Sequence, residues 1–161
     1  ALVESGVISE DSLIENTVKS LQPTDILINL GDNVFGTNTN YKEFIWRCKD
    51  KIGHNGKMIM VRGNHDKRSI VSYLQDGWDW VCDGFEINKY MGYNIKFSHR
   101  PKQVDPERID DVNIHGHLHK YAEHYDGHRD AEAIVDDQHK LISMEWLQYR
   151  PIKLEMVLDC Y

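Results

Sequence analysis

Long apolar runs are missing from this sequence. None approaches the ~20 residues that span a bilayer, and no apolar signal-peptide core opens the chain, so neither a membrane helix nor a leader is expected. Cysteine is scarce as well. Cys48, Cys82 and Cys160 are odd in number and none lies in a C-x-x-C pair, which argues against a disulfide framework or a cysteine zinc site and for a reducing, cytoplasmic setting. Positive charge is in deficit. Lys and Arg number 19 against 26 Asp and Glu, for a formal net charge of -7, which rules out a surface-wide basic field for gripping nucleic acid and leaves room for a local basic patch. Internal repeats, low-complexity runs and long linkers are absent too.

What is present fits one globular unit. The 161 residues are 40% hydrophobic and 28% charged, enough apolar material for a core without disulfide staples, so residues 1–161 are expected to form a single domain. Histidine is the outlier. Of the 9 histidines, His99, His115, His117, His119, His124, His128 and His139 crowd into the second half.

Periodicity divides the chain into two textures. Residues 9–21 read as a helix: Ser9 can cap it, Glu10 and Asp11 suit its positive end, and Ile14, Val18 and Leu21 make a stripe that Pro23 ends. Residues 25–30 form a short apolar run stopped by Gly31, the pattern of a buried strand. A second helix is expected over 40–51, with Tyr41, Phe44, Ile45 and Cys48 on one face. A second buried strand follows over 57–61 and stops at Gly63, and a third helix covers 68–75. Beyond it, 85–90 and 93–98 read as strands around a Met91-Gly92 turn, and 111–115 as another strand. Residues 141–147 and 152–158 read as a terminal antiparallel pair across Arg150-Pro151. The expected fold is α/β, with two mixed β-sheets flanked by helices.

The notable residues sit where strands end. Gly31-Asp32-Asn33 follows the first strand and Gly63-Asn64-His65-Asp66 the second. Ser98-His99 ends a third, and His115-Gly116-His117-Leu118-His119 closes a fourth. In open α/β sheets sites form beyond the carboxyl ends of strands, so these turns can meet. Carboxylate, amide oxygen and imidazole form a mixed O/N ligand set suited to Mn, Fe, Zn, Co or Ni. Singly, each motif has a plain structural reading: a turn after a strand, a left-handed Asn64, a helix-capping Asp66, a surface histidine. The ordered set, each member just past an apolar strand, favours a metal centre. His115 reads as a neighbour of that centre and His54, His124 and His128 as loop residues. Trp78, Trp80, Phe85 and Trp146 read as core or rim packing, and the charged stretch 105–111 as a solvated loop.

In that order and context the motifs resemble the calcineurin-like metallophosphoesterase family, whose members carry D-x-H, G-D, G-N-H-[DE], [GS]-H and G-H-x-H. Four of the five stand here: Gly31-Asp32, Gly63-Asn64-His65-Asp66, Ser98-His99 and Gly116-His117-Leu118-His119. The stretches around Asn29 to Gly36, Lys57 to Lys67 and Ile142 to Trp146 are similar to its small single-domain bacterial and phage members. The resemblance implies that Asp32 bridges two divalent metal ions. Asn64, His99 and His117 would complete one site and His119 would belong to the other. His65 and Asp66 would be catalytic, with His65 near the phosphate and the leaving group and Asp66 a support or helix cap. Asn64 and Arg100 would face substrate.

One motif is missing. The opening D-x-H has no counterpart among residues 1–8, which contain neither Asp nor His, and the strand that carries it is missing with it. Asp137-Gln138-His139 spells the pattern near the other end, but the following strand and Arg150-Pro151 match the usual family ending, so His139 is expected in a turn and an N-terminally shortened chain is the simpler explanation.

The expected activity is metal-dependent hydrolysis of a phosphodiester or small phosphomonoester, nucleotide-like in the natural guess, by a metal-bridging hydroxide. Two alternatives stay open. One is a catalytically impaired scaffold that binds a protein. The other is a family nuclease acting on DNA, which the acidic charge disfavours.

Overall fold

The computed structural model describes residues 9–32, 35–116, 136–142 and 150–160. Their elements are, in order, α1 (Glu10–Ser20), β1 (Ile26–Asn29), α2 (Asn38–Ile52), β2 (Lys57–Val61), α3 (Ile70–Asp76), β3 (Trp80–Cys82), β4 (Phe85–Tyr90), β5 (Tyr93–Ser98), β6 (Asp111–His115), β7 (His139–Leu141) and α4 (Leu154–Cys160). The strands form two sheets. The first is parallel in the order β1-β2-β3; the second runs β4-β5-β6-β7, with an antiparallel hairpin at β4/β5 and parallel pairing onward. This is the expected mixed α/β architecture of two sheets with helices.

Each of the first three helices begins where a side chain can take an orphan backbone N–H. Ser9 accepts from Ser12 N ahead of α1, Thr37 from Asn40 N ahead of α2, and Ser69 from Ser72 N ahead of α3. The Ser69 cap puts the start of α3 two residues beyond the expected 68. Arg68 therefore stays outside the helix, where its guanidinium pairs with Asp76 and lies over the Tyr73 ring.

Strand alternation separates the two cores. On β2, Met58 and Met60 face a cluster with Ile14, Phe44, Ile45, Cys48, Ile52 and Trp78, which holds α1, α2 and α3 to one side of the first sheet. Val61 faces the other way, into a cluster with Ile95, Phe97, Val112, Ile114, Val157 and Leu158, joined by Ile28 and Leu30. This second cluster lies between the sheets and welds them together.

Two expectations need correction. Residues 152–158 are not a strand: the chain forms α4 there, because Leu154, Val157 and Leu158 recur at i, i+3 and i+4 and bury together on the sheets. Of the partner strand expected over 141–147, residues 143–147 lie outside the described residues, and β7 covers His139–Leu141. His139 is not in a turn. It opens β7, buried, paired in register with Asn113. The short β3 went unread because three residues carry no periodic signal. Trp78 packs in the core, and the half-exposed Trp80 leans on Phe85 at the rim, ring centroids 5.1 Å apart. Trp146 lies outside the described residues. Among the described residues, no helix is long and apolar enough to cross a membrane.

Candidate metal centre

Three strand ends meet at one point. β1 delivers Gly31-Asp32, β2 delivers Gly63 to Asp66, and β5 delivers His99. The turns approach so closely that side chains are excluded between them. A Cβ on Gly31 would lie 2.6 Å from Gly63 N and 2.8 Å from His99 Nδ1, and a Cβ on Gly63 would meet Asp32 N at 2.6 Å. Gly31 takes φ +102°, and Asp32 itself takes φ +59°, the left-handed conformation that Asp tolerates better than most residues. This turn aims the Asp32 carboxylate across the gap.

Asp66 joins two of the turns. It is buried, and its Oδ2 accepts the N–H groups of Asp32 at 2.6 Å and Gly63 at 2.8 Å. Asp32 Oδ1 in turn accepts the backbone N–H of His65 at 2.9 Å. Helix capping, the other role expected of Asp66, belongs to Ser69.

His99 is buried and its ring orientation is fixed by chemistry. Nδ1 lies 2.7 Å from the Leu30 carbonyl, which can only accept, so Nδ1 carries a proton. In the neutral ring Nε2 is then a lone pair. It faces Asn64 Oδ1 at 2.8 Å and Asp32 Oδ2 at 3.2 Å. A carboxylate oxygen, an amide oxygen and an imidazole nitrogen thus converge, and all three are electron-pair donors. The donor set fits a divalent transition ion. Burial works to raise the Asp32 carboxyl, but the contact with His99, the N–H of His65 and the nearby imidazoles outweigh it, and the group sits below its ordinary value.

Of the remaining expected residues, His65 is exposed at the edge of the cluster, and Arg100 is exposed next to His99. His117 and His119 lie outside the described residues. Among the described residues no group of three His, Cys, Asp or Glu side chains is placed to hold a metal; the cluster contributes two, Asp32 and His99, with the Asn64 amide as its third donor. His139 does not reach this cluster. Its two nitrogens face Asp136 and the Lys102 carbonyl, so the circularly permuted D-x-H finds no support.

The sequence reading missed the framework beneath His99. Asn113, fully buried on β6, donates to Lys96 O at 3.0 Å and to Ser98 Oγ at 2.9 Å, and accepts Lys102 N at 2.8 Å. Gly116 N donates to His99 O at 3.0 Å. A lone polar residue between Val112 and Ile114 was the available signal.

The sequence pattern of the calcineurin-like phosphoesterase family matches residues 9–156. The chain belongs to this family. Metal-dependent phosphoester hydrolysis is the chemistry of calcineurin-like phosphoesterases, and divalent ions are their general cofactors. Among solved structures, a protein of unknown function from Aquifex aeolicus is similar, with 29% identity, a TM-score of 0.61, and coverage of 89% of this chain and 80% of that one. No curated protein matches the chain at a significant level.

Proposed function

We propose that this phosphoesterase hydrolyses a phosphodiester or small phosphomonoester, nucleotide-like in character, at a centre for two divalent ions. Asp32, Asn64, His99 and His117 would hold one ion; Asp32 would be shared with the second, to which His119 belongs. The observation that carries this reading is the convergence of three electron-pair donors on His99 Nε2. Divalent ions held there supply Lewis-acid charge to phosphoryl oxygens and lower the pKa of water.

The chain's own residues do the rest. His65 stands exposed at the cluster's edge with its backbone tied to Asp32, so its imidazole can give a proton to the leaving oxygen or steady charge there. Arg100, beside His99, suits a substrate phosphate with its planar fork of donors. Asn64 serves both the ion and the substrate side. Asp66 acts as a brace: by holding Asp32 N and Gly63 N it keeps two donor turns in register. We take residues 1–161 as one such domain and place it in the cytoplasm, in keeping with its few cysteines.

Manganese titration by calorimetry, beside turnover of bis(p-nitrophenyl) phosphate, tests the assignment. Asp32→Asn and His99→Ala should each lower manganese affinity at least tenfold and abolish turnover. Unchanged affinity in both variants refutes the ligand set. Wild-type protein that binds no manganese, cobalt or zinc supports a scaffold instead.

A further inference from the structure

His139 and the segment that follows His99 are linked in a way that requires charge. The His139 ring is buried, with Nδ1 2.7 Å from Asp136 Oδ1 and Nε2 2.8 Å from the Lys102 carbonyl. A carboxylate and a carbonyl only accept, and a neutral imidazole offers one N–H. Making both hydrogen bonds therefore takes the imidazolium. Burial works to raise the Asp136 carboxyl, but the hydrogen bond and charge of His139 outweigh it and leave the group below its ordinary value.

The Lys102 peptide sits at a junction. Its N–H goes to Asn113 Oδ1, and its carbonyl receives the His139 ring. Upstream, the Ser98 hydroxyl donates to Arg100 O at 2.6 Å, and Gly116 N to His99 O at 3.0 Å. The run from His99 to Lys102 is thus pinned to β6 and β7, and the pin at His139 is the one that a proton can switch. Among the described residues, the ionisable groups around His139 are Asp136 ahead of its own strand, His115 on β6 with ring centroids 6.2 Å apart, and Lys102 on the β5–β6 connection, whose carbonyl the ring meets. Gln138 donates to the carbonyls of the charged residues Asp105 and Arg108 on the same connection and of Asp111 at the start of β6.

We propose that His139 is a positioning residue for the centre: as an imidazolium clamped between Asp136 and the Lys102 carbonyl, it holds the segment bearing His99 and Arg100 in place. Loss of one ring proton to solvent turns a lone pair toward an acceptor and releases that segment. The role in metal affinity rests on the assignment of His99 as a ligand; the clamp itself does not.

Ring ¹⁵N spectra across a pH titration, read beside exchange of the Lys102 amide corrected for its intrinsic pH dependence, test the clamp in the wild-type chain. Both ring nitrogens should carry protons while the Lys102 amide is protected, and protection should fall at least tenfold as His139 itself titrates. His139→Phe should lose that protection at every pH and weaken manganese binding about tenfold, the low end for residues that orient a ligand. His139→Gln keeps one donor toward Lys102 and should restore protection partly, without pH dependence. Asp136→Asn alters an exposed carboxylate and supplies the test if His139→Phe does not fold: the ring should give up its second proton more readily and protection should fall with it. A ring with a single proton beside a protected Lys102 amide overturns the proposal, as does unchanged protection in both His139→Gln and Asp136→Asn. Wild-type protein that fails to bind manganese overturns the metal reading alone, because ring and amide still decide the clamp.

Discussion

Replacing Gly31 with alanine should damage this protein far more than one methyl group suggests. Two terms add. Gly31 has φ +102°, outside the ordinary range for a residue with a side chain, and forcing such a residue to positive φ costs about 1–2 kcal/mol. The added Cβ would also lie 2.6 Å from Gly63 N, 2.8 Å from Gly63 Cα and 2.8 Å from His99 Nδ1. Two of these atoms are backbone and the third belongs to a buried ring, so none can swing aside, and overpacking of this kind costs about 1–3 kcal/mol. The sum is about 2–5 kcal/mol, or a fall in Tm of roughly 4–20 °C for a chain of this size. Gly92 supplies the control. It has φ +84° but nothing within 4 Å of its Cβ position, so Gly92→Ala should show the backbone term alone, about 1–2 kcal/mol. Thermal and urea unfolding of both variants measure the difference, and manganese titration of folded Gly31→Ala should show weakened binding, because the displaced atoms position His99 and Asp32. If Gly31→Ala proves no worse than Gly92→Ala, the close approach of the β1 and β2 turns is refuted.

Two other outcomes follow from the site and the first sheet. His65→Ala should leave manganese affinity within about twofold, since its exposed ring is not among the donors, yet cut turnover of bis(p-nitrophenyl) phosphate roughly 10²–10³-fold; unchanged turnover removes His65 from the chemistry. Asp79 accepts Met58 N at 2.8 Å and pairs with Lys49 at 3.1 Å, and these contacts outweigh burial to hold its carboxyl below the ordinary value. A carboxyl lowered on folding stabilises fully above its unfolded value near about 3.9 and loses that contribution as pH falls through the folded one. Asp79→Asn should therefore cost about 1–2 kcal/mol at pH 7, with the gap to wild type narrowing toward pH 3; equal gaps in thermal melts at both pH values would count against the sign.

The donor turns were legible because a buried strand announces its own end. The run 57–61 is largely apolar with Gly63 just beyond it, and 111–115 alternates Val112 and Ile114 with polar residues up to His115; the strands there, with those over 85–90 and 93–98, have the bounds read from the sequence. Periodicity could place Asp32, Asn64 and His99 beyond strand ends but could not say how near those ends come. That distance is set by contacts without a sequence period: Gly31 against Gly63, Asp66 across two turns, the Leu30 carbonyl on His99. The C-terminal element was misread for a related reason. Over seven residues, Leu154, Val157 and Leu158 satisfy a loose alternation nearly as well as a helical period, and burial against the sheets decides between them.

The same cluster that misled the reading at α4 explains how Asp32, Asn64 and His99 come together from two sheets. Asp32 and Asn64 come from the first sheet and His99 from the second, so their spacing depends on how the sheets sit on each other. The residues just before those donor turns, Leu30, Val61 and Phe97, all belong to the apolar cluster between the sheets, as does Ile114, two residues ahead of Gly116. Close-packed interiors transmit small displacements rather than absorb them. Each donor is therefore fixed twice, by the core residue behind it and by the backbone hydrogen bonds around it. The polar braces at Asp66 and Asn113 would have little to hold against if the core behind them were loose. The apolar residues that make the strands readable in the sequence are thus the ones that fix the distance between Asp32 and His99.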